Sequence, residues 1–159
     1  FKQKTAYEIP LRLVGSEMCI RDRAESVIVL NGDRVQGVDF LRKTSMQLAS
    51  KMRFLSAQFV AMLTDDLWLR SAGHANVMAS RLHDGVADLS GVTITQSVDA
   101  NAVFVLLPEQ IASRLQEQFH FYTWDQATGE VRWMCAWDTT ESDVDDFVAA
   151  VRGEIASSA

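Results

Sequence analysis

Residues 120–137 read HFYTWDQATGEVRWMCAW, and their reading decides the fold. Two aromatic-rich runs, HFYTW (His120–Trp124) and VRWMCAW (Val131–Trp137), flank the six-residue segment DQATGE, so the stretch predicts a β-hairpin. Successive strand side chains point to opposite faces. Val131, Trp133 and Cys135 therefore share one face of the second run, and Arg132, Met134 and Ala136 the other. Working outward, NAVFVLL (Asn101–Leu107) is a continuous apolar strand, GVTITQ (Gly91–Gln96) alternates, and Pro108–Glu109 opens a short helix carrying Ile111 and Leu115. Thr140 with Asp143 three residues on resembles a capping box, and Val144, Phe147, Val148, Val151 and Ile155 give the closing helix its apolar face.

Upstream the period becomes helical. Trp68, Ala72, Ala75, Ala79, Leu82 and Val86 recur in steps of four and three, the spacing of one buried face. Asp65 and Asp66 suit that helix's positive end, and Gly91 suits its stop. A further helical stretch carries apolar residues from Leu41 to Met62, with a break expected near Ser50–Met52. The predicted class is α+β: helices followed by a small antiparallel or mixed sheet covered by helices on one side.

The first residues behave differently. From Phe1 to Arg23 no 3.6- or 2.0-residue period is sustained, and Pro10 and irregular charges interrupt the segment. FKQKTAYEI and RLVGSEMCIRDR are similar to translated sequencing-adapter text, so residues 1–23 are expected to be a non-native leader, a natural disordered tail being the alternative. SVIVLN (Ser26–Asn31) then reads as a buried strand ending in the turn signal Asn31–Gly32–Asp33. A buried strand needs neighbours on both sides, so residues 24–34 are expected to be the remnant strand of a larger domain, and residues 35–159 the α+β domain itself.

Composition excludes several classes. At 159 residues, 48% hydrophobic and 23% charged, one ordinary domain with a sizeable core is expected. The net charge of −6, with scattered cations, argues against a nucleic-acid partner. No apolar run approaches the roughly 20 residues that span a bilayer, and no secretory signal core is legible, so the expected location is cytoplasmic with no membrane partner. Cys19 and Cys135 stand in no metal-ligand or disulfide spacing.

FLRKTSMQLASKMRFLSAQFVAMLTDDLWLRSAGHANVMASRL, DANAVFV and FYTWDQATGEVRWMCAWDTTESDVDDFV together resemble the C-terminal part of the low-specificity L-threonine aldolase family. These are pyridoxal-phosphate enzymes related to the aromatic amino acid β-eliminating lyases. The resemblance covers nearly all of residues 24–155. It implies a fold-type I enzyme with a large cofactor domain and a small C-terminal α+β domain, residues 26–30 being the large domain's last strand. It also implies cleavage of a β-hydroxy-α-amino acid to glycine and an aldehyde, and a homo-oligomer, dimer or tetramer. Where the family has its Schiff-base lysine, this chain has the adapter-like text. No catalytic residue is therefore assigned, and the chain as written is expected to be inactive and not to hold pyridoxal 5'-phosphate stably.

For the site, Arg132 in EVRWM matches the family's strand arginine, which grips the substrate α-carboxylate. A planar guanidinium donates two parallel charged hydrogen bonds to such a group. From the residues alone, an edge-strand arginine facing water stays open. Arg53 in KMRFLSAQ resembles the arginine of the family's glycine-rich segment near the cofactor of a neighbouring subunit, although this chain lacks the glycine triplet. Lys43 and Lys51 complete the cofactor-region candidates. His74, and His120 with its aromatic neighbours, read as packing residues. The competing class of function is a stand-alone α+β interaction or small-molecule-binding module.

Overall fold

The computed structural model describes residues 36–158, so the expectations for residues 1–23 and 24–34 lie outside the described residues, as does Cys19. The described chain divides into two compact units, residues 36–68 and 69–158. In the first, α1 (Val38–Thr44) and α2 (Met52–Leu63) are separate helices. The break expected near Ser50–Met52 is thus wider, and Met46 within it takes a left-handed φ of 55°. On α2 the half-buried positions are Met52, Leu55, Phe59 and Met62, the single stripe the spacing predicts.

A 3-10 turn, Thr64–Asp66, separates α2 from α3 (Leu67–Val86). Asp65 and Asp66 both have positive φ, 51° and 55°. They form a corner before the helix, and aspartate is among the few residues that tolerate this conformation. On α3 the buried residues are Ala75, Met78, Ala79, Leu82 and Val86, while Trp68 and Ala72 of the expected face are exposed. Past the helix, Gly91 adopts φ 91°, the left-handed turn glycine permits.

The second unit is built on a four-stranded antiparallel sheet: β1 (Thr93–Ile94), β2 (Ala102–Leu106), β3 (Tyr122–Asp125) and β4 (Glu130–Met134), in the order β1-β2-β4-β3. Its inner face contributes Val103, Val105, Val131 and Trp133 to the core. Against them pack Met78, Leu82 and Val86 of α3, Ile111 and Leu115 of α4 (Glu109–Gln118), and Val144, Phe147 and Val151 of α5 (Glu141–Ser158). Phe147 is the hub of the aromatic packing, with edge-on contacts to Phe119 and Trp133 at 4.9 Å each. Pro108 caps α4, its carbonyl accepting from the amides of Ile111 and Ala112. The capping box at α5 is reciprocal: the Asp143 amide donates to Thr140 Oγ1 at 3.2 Å, and the Thr140 amide to Asp143 Oδ2 at 2.8 Å.

α3 and α5 are also clamped at their surface. Arg81 makes a two-pronged ion pair with Asp145 at 2.9 Å and reaches Glu141 at 3.2 Å, and Arg152 Nη2 donates to the Gly85 carbonyl. Among the described residues, no helix is long and apolar enough to cross a membrane.

Candidate functional site

Arg132 lies on the face of the sheet turned away from the core. β4 pairs with β2 on one side and β3 on the other, so Arg132 sits on an interior strand, not the edge strand left open by the sequence. Strand alternation sends Val131 and Trp133 into the core and leaves Arg132 half-buried on the outer face. Directly opposite it stand Phe104 of β2 and Tyr122 of β3. Met134 shares its face, whereas Ala136 lies beyond the strand, wholly buried, with its amide donating to Thr139 Oγ1 at 2.8 Å.

The guanidinium lies against an aromatic wall. Arg132 Cζ is 4.3 Å from the centroid of the Trp124 ring, a cation–π contact. Phe104 meets Trp124 edge-on, at 5.6 Å and 74°. Burial pulls the guanidinium below its ordinary pKa, because desolvation disfavours the cation, yet an arginine stays charged at neutral pH. On the same face Thr95 Oγ1 donates to the Glu130 carboxylate across β2. The arrangement is a partly desolvated cation beside an aromatic ring, of a kind suited to a carboxylate.

The remaining predicted residues belong to the other unit. Lys43 lies in the last turn of α1, Lys51 caps the start of α2, and Arg53 is in the first turn of α2; all three are exposed. Lys51 and Arg53 stand together at the positive end of the α2 dipole, whose first turn holds no acidic residue. Neither Lys43 nor Lys51 fits a Schiff-base lysine, which needs an enclosed and oriented amine. Among the described residues, no cluster of histidine, cysteine, aspartate or glutamate is placed to hold a metal.

His74 is exposed on α3, its Nε2–H donating to the Thr139 carbonyl at 2.7 Å. His120 shares a 3.1 Å hydrogen bond with the Tyr122 hydroxyl, and Phe121 is buried in the core. Trp124 is different. Grouped with sheet packing by its sequence, it is half exposed and its ring contacts the Arg132 guanidinium. The signal that marks it is an aromatic two residues after Tyr122 on the strand facing Arg132.

No family model matches the chain. Two curated proteins named low specificity L-threonine aldolase, from Pseudomonas sp. (strain NCIMB 10558) and Pseudomonas aeruginosa (strain PAO1), are each 41% identical over 129 residues. The match covers 80% of this chain, which spans 37% of the length of each relative. A solved threonine aldolase from Leishmania major superposes with a TM-score of 0.71 at 25% identity, over 80% of this chain and 38% of that one. A small antiparallel sheet covered by helices on one face is thus shared with a solved threonine aldolase. In sequence and in fold, the chain is a member of the threonine aldolase family that spans little more than a third of the enzymes it matches.

Proposed function

We propose that this chain is the carboxylate-anchoring C-terminal part of a pyridoxal-phosphate-dependent lyase that cleaves β-hydroxy-α-amino acids such as threonine to glycine and an aldehyde. The observation that carries the reading is Arg132: an interior-strand guanidinium, partly desolvated and 4.3 Å from the Trp124 ring, on the sheet face turned away from the core. Its match to the family's carboxylate arginine supports the same role. The bound cofactor supplies the electron sink for Cα–Cβ cleavage. This chain's part is to hold the substrate by its carboxylate so that the reacting bond keeps one orientation.

The positive start of α2, with Lys51 and Arg53, supports a cofactor-region role for those residues, and Lys43 is the weaker candidate beside them. Because both described lysines are exposed, the 159 residues alone are expected to lack aldolase activity. Phe40, Leu41, Phe54 and Val60 are each at least 64% exposed. That apolar surface on the first unit supports burial against further chain or a second subunit, in keeping with a cytoplasmic homo-oligomer.

The test is Arg132→Ala in a full-length protein carrying this segment. The absorbance of the bound cofactor should stay as in the parent, while kcat/KM for threonine falls about 30-fold to 1000-fold, the equivalent of about 2–4 kcal/mol for a charged bidentate pair. Most of the loss should appear in KM, since the carboxylate is held in ground and transition states alike. Unchanged kcat/KM with lowered thermal stability would make Arg132 a structural charge.

A further inference from the structure

We infer that Trp124 is a positioning residue for the Arg132 carboxylate clamp. The inference rests on the proposed role of Arg132 and adds the group that sets its orientation. Across the β3–β4 ladder, Tyr122 faces Arg132, Thr123 faces Val131 and Asp125 faces Glu130. Trp124 is therefore the extra residue, with no partner of its own in the register. An added residue of this kind bends the strand locally, and Trp124 keeps the face of Tyr122, two residues before it.

The turn holds the bulge in place. The Asp125 carboxylate accepts from the Ala127 amide at 2.8 Å, the Asp125 carbonyl accepts from the Gly129 amide at 2.9 Å, and Gly129 takes φ 75°. The Trp124 ring stands with its centroid 4.3 Å from Arg132 Cζ and is itself braced edge-on by Phe104.

A carboxylate is bound through in-plane N–H groups of the guanidinium, so the clamp depends on the guanidinium's being held in one orientation. The ring removes water from one side of the cation and restrains a side chain that otherwise samples many rotamers, so less freedom is lost when substrate arrives.

The experiment uses the full-length enzyme with bound cofactor and compares Trp124→Leu, Trp124→Phe, Arg132→Ala and the Trp124→Leu/Arg132→Ala pair. Trp124→Leu should raise KM for threonine, and the inhibition constant of glycine, about 3-fold to 30-fold. The change should fall on KM more than on kcat, with thermal midpoint and cofactor absorbance as in the parent. Trp124→Phe should recover part of the loss, because a phenyl ring binds a cation less well than indole. In the Arg132→Ala background Trp124→Leu should have no further effect on KM. An equal effect in both backgrounds, or a lowered thermal midpoint with unchanged KM, overturns the inference. If Arg132→Ala itself leaves KM unchanged, the carboxylate role fails whatever Trp124 does. Should Trp124→Leu not fold, Trp124→Phe in the two backgrounds makes the same comparison with a smaller rise.

Discussion

Gly85→Ala should destabilise the protein, and Val148→Ala should remove that penalty. Gly85 is in the last turn of α3, where α5 approaches most closely. A methyl group built there falls 2.7 Å from Val148 Cγ2 and 3.2 Å from Cγ1. Carbon atoms rest about 3.5–4.0 Å apart, so one partner must move by roughly 1 Å. Val148 has little room to yield, since valine on a helix has one strongly preferred rotamer. Nor can the helices part freely, because Arg152 binds the Gly85 carbonyl and Arg81 ties α3 to Asp145 and Glu141.

Overpacking of this kind costs about 1–3 kcal/mol, against a helix-propensity gain of at most about 1 kcal/mol for alanine over glycine. Gly85→Ala alone should therefore destabilise by up to about 2 kcal/mol. With Val148 cut to alanine both clashing carbons are gone, and Gly85→Ala should become neutral or stabilising by up to about 1 kcal/mol. Urea unfolding of the four proteins at constant m reads the cycle. Equal effects of Gly85→Ala in the two backgrounds, within about 0.5 kcal/mol, would refute the close approach.

Thr140→Ala removes the hydroxyl half of the reciprocal cap on α5 and should destabilise by about 1 kcal/mol in the same assay, with no change in KM. Burial pushes the Cys135 thiol up to about 12 from an ordinary 9.0. In a Cys19→Ser background it should react with thiol reagents only as the protein unfolds. Because the native state keeps the Cys135 proton, its contribution is fully present below pH 9.0 and is lost as pH rises toward about 12. A pH titration of urea midpoints, compared with Cys135→Ala, checks the sign.

Much of the second unit is legible in the sequence because burial there follows a simple period. The strands β2 and β4 alternate as their residues suggest, and the Thr140/Asp143 signature marks the start of α5. Other features depend on backbone angles that composition does not encode. GVTITQ pairs over only Thr93–Ile94, and Asp65–Asp66 turn a corner where acidic residues suggested a helix's first turn. The bulge at Trp124 was illegible for the same reason: one extra residue in a ladder leaves no mark on hydrophobic periodicity until both strands are paired. Arg132 was legible only through its family resemblance, since its place on an interior strand depends on β2, more than 20 residues away, pairing beside the hairpin.

The most direct test of the account is a crystal structure of the full-length enzyme with glycine bound. The account predicts the glycine carboxylate in the plane of the Arg132 guanidinium, two N···O distances of about 2.7–2.9 Å, and the Trp124 ring still in contact with the guanidinium. A carboxylate held by another cation, with Arg132 more than about 4 Å away, would contradict it.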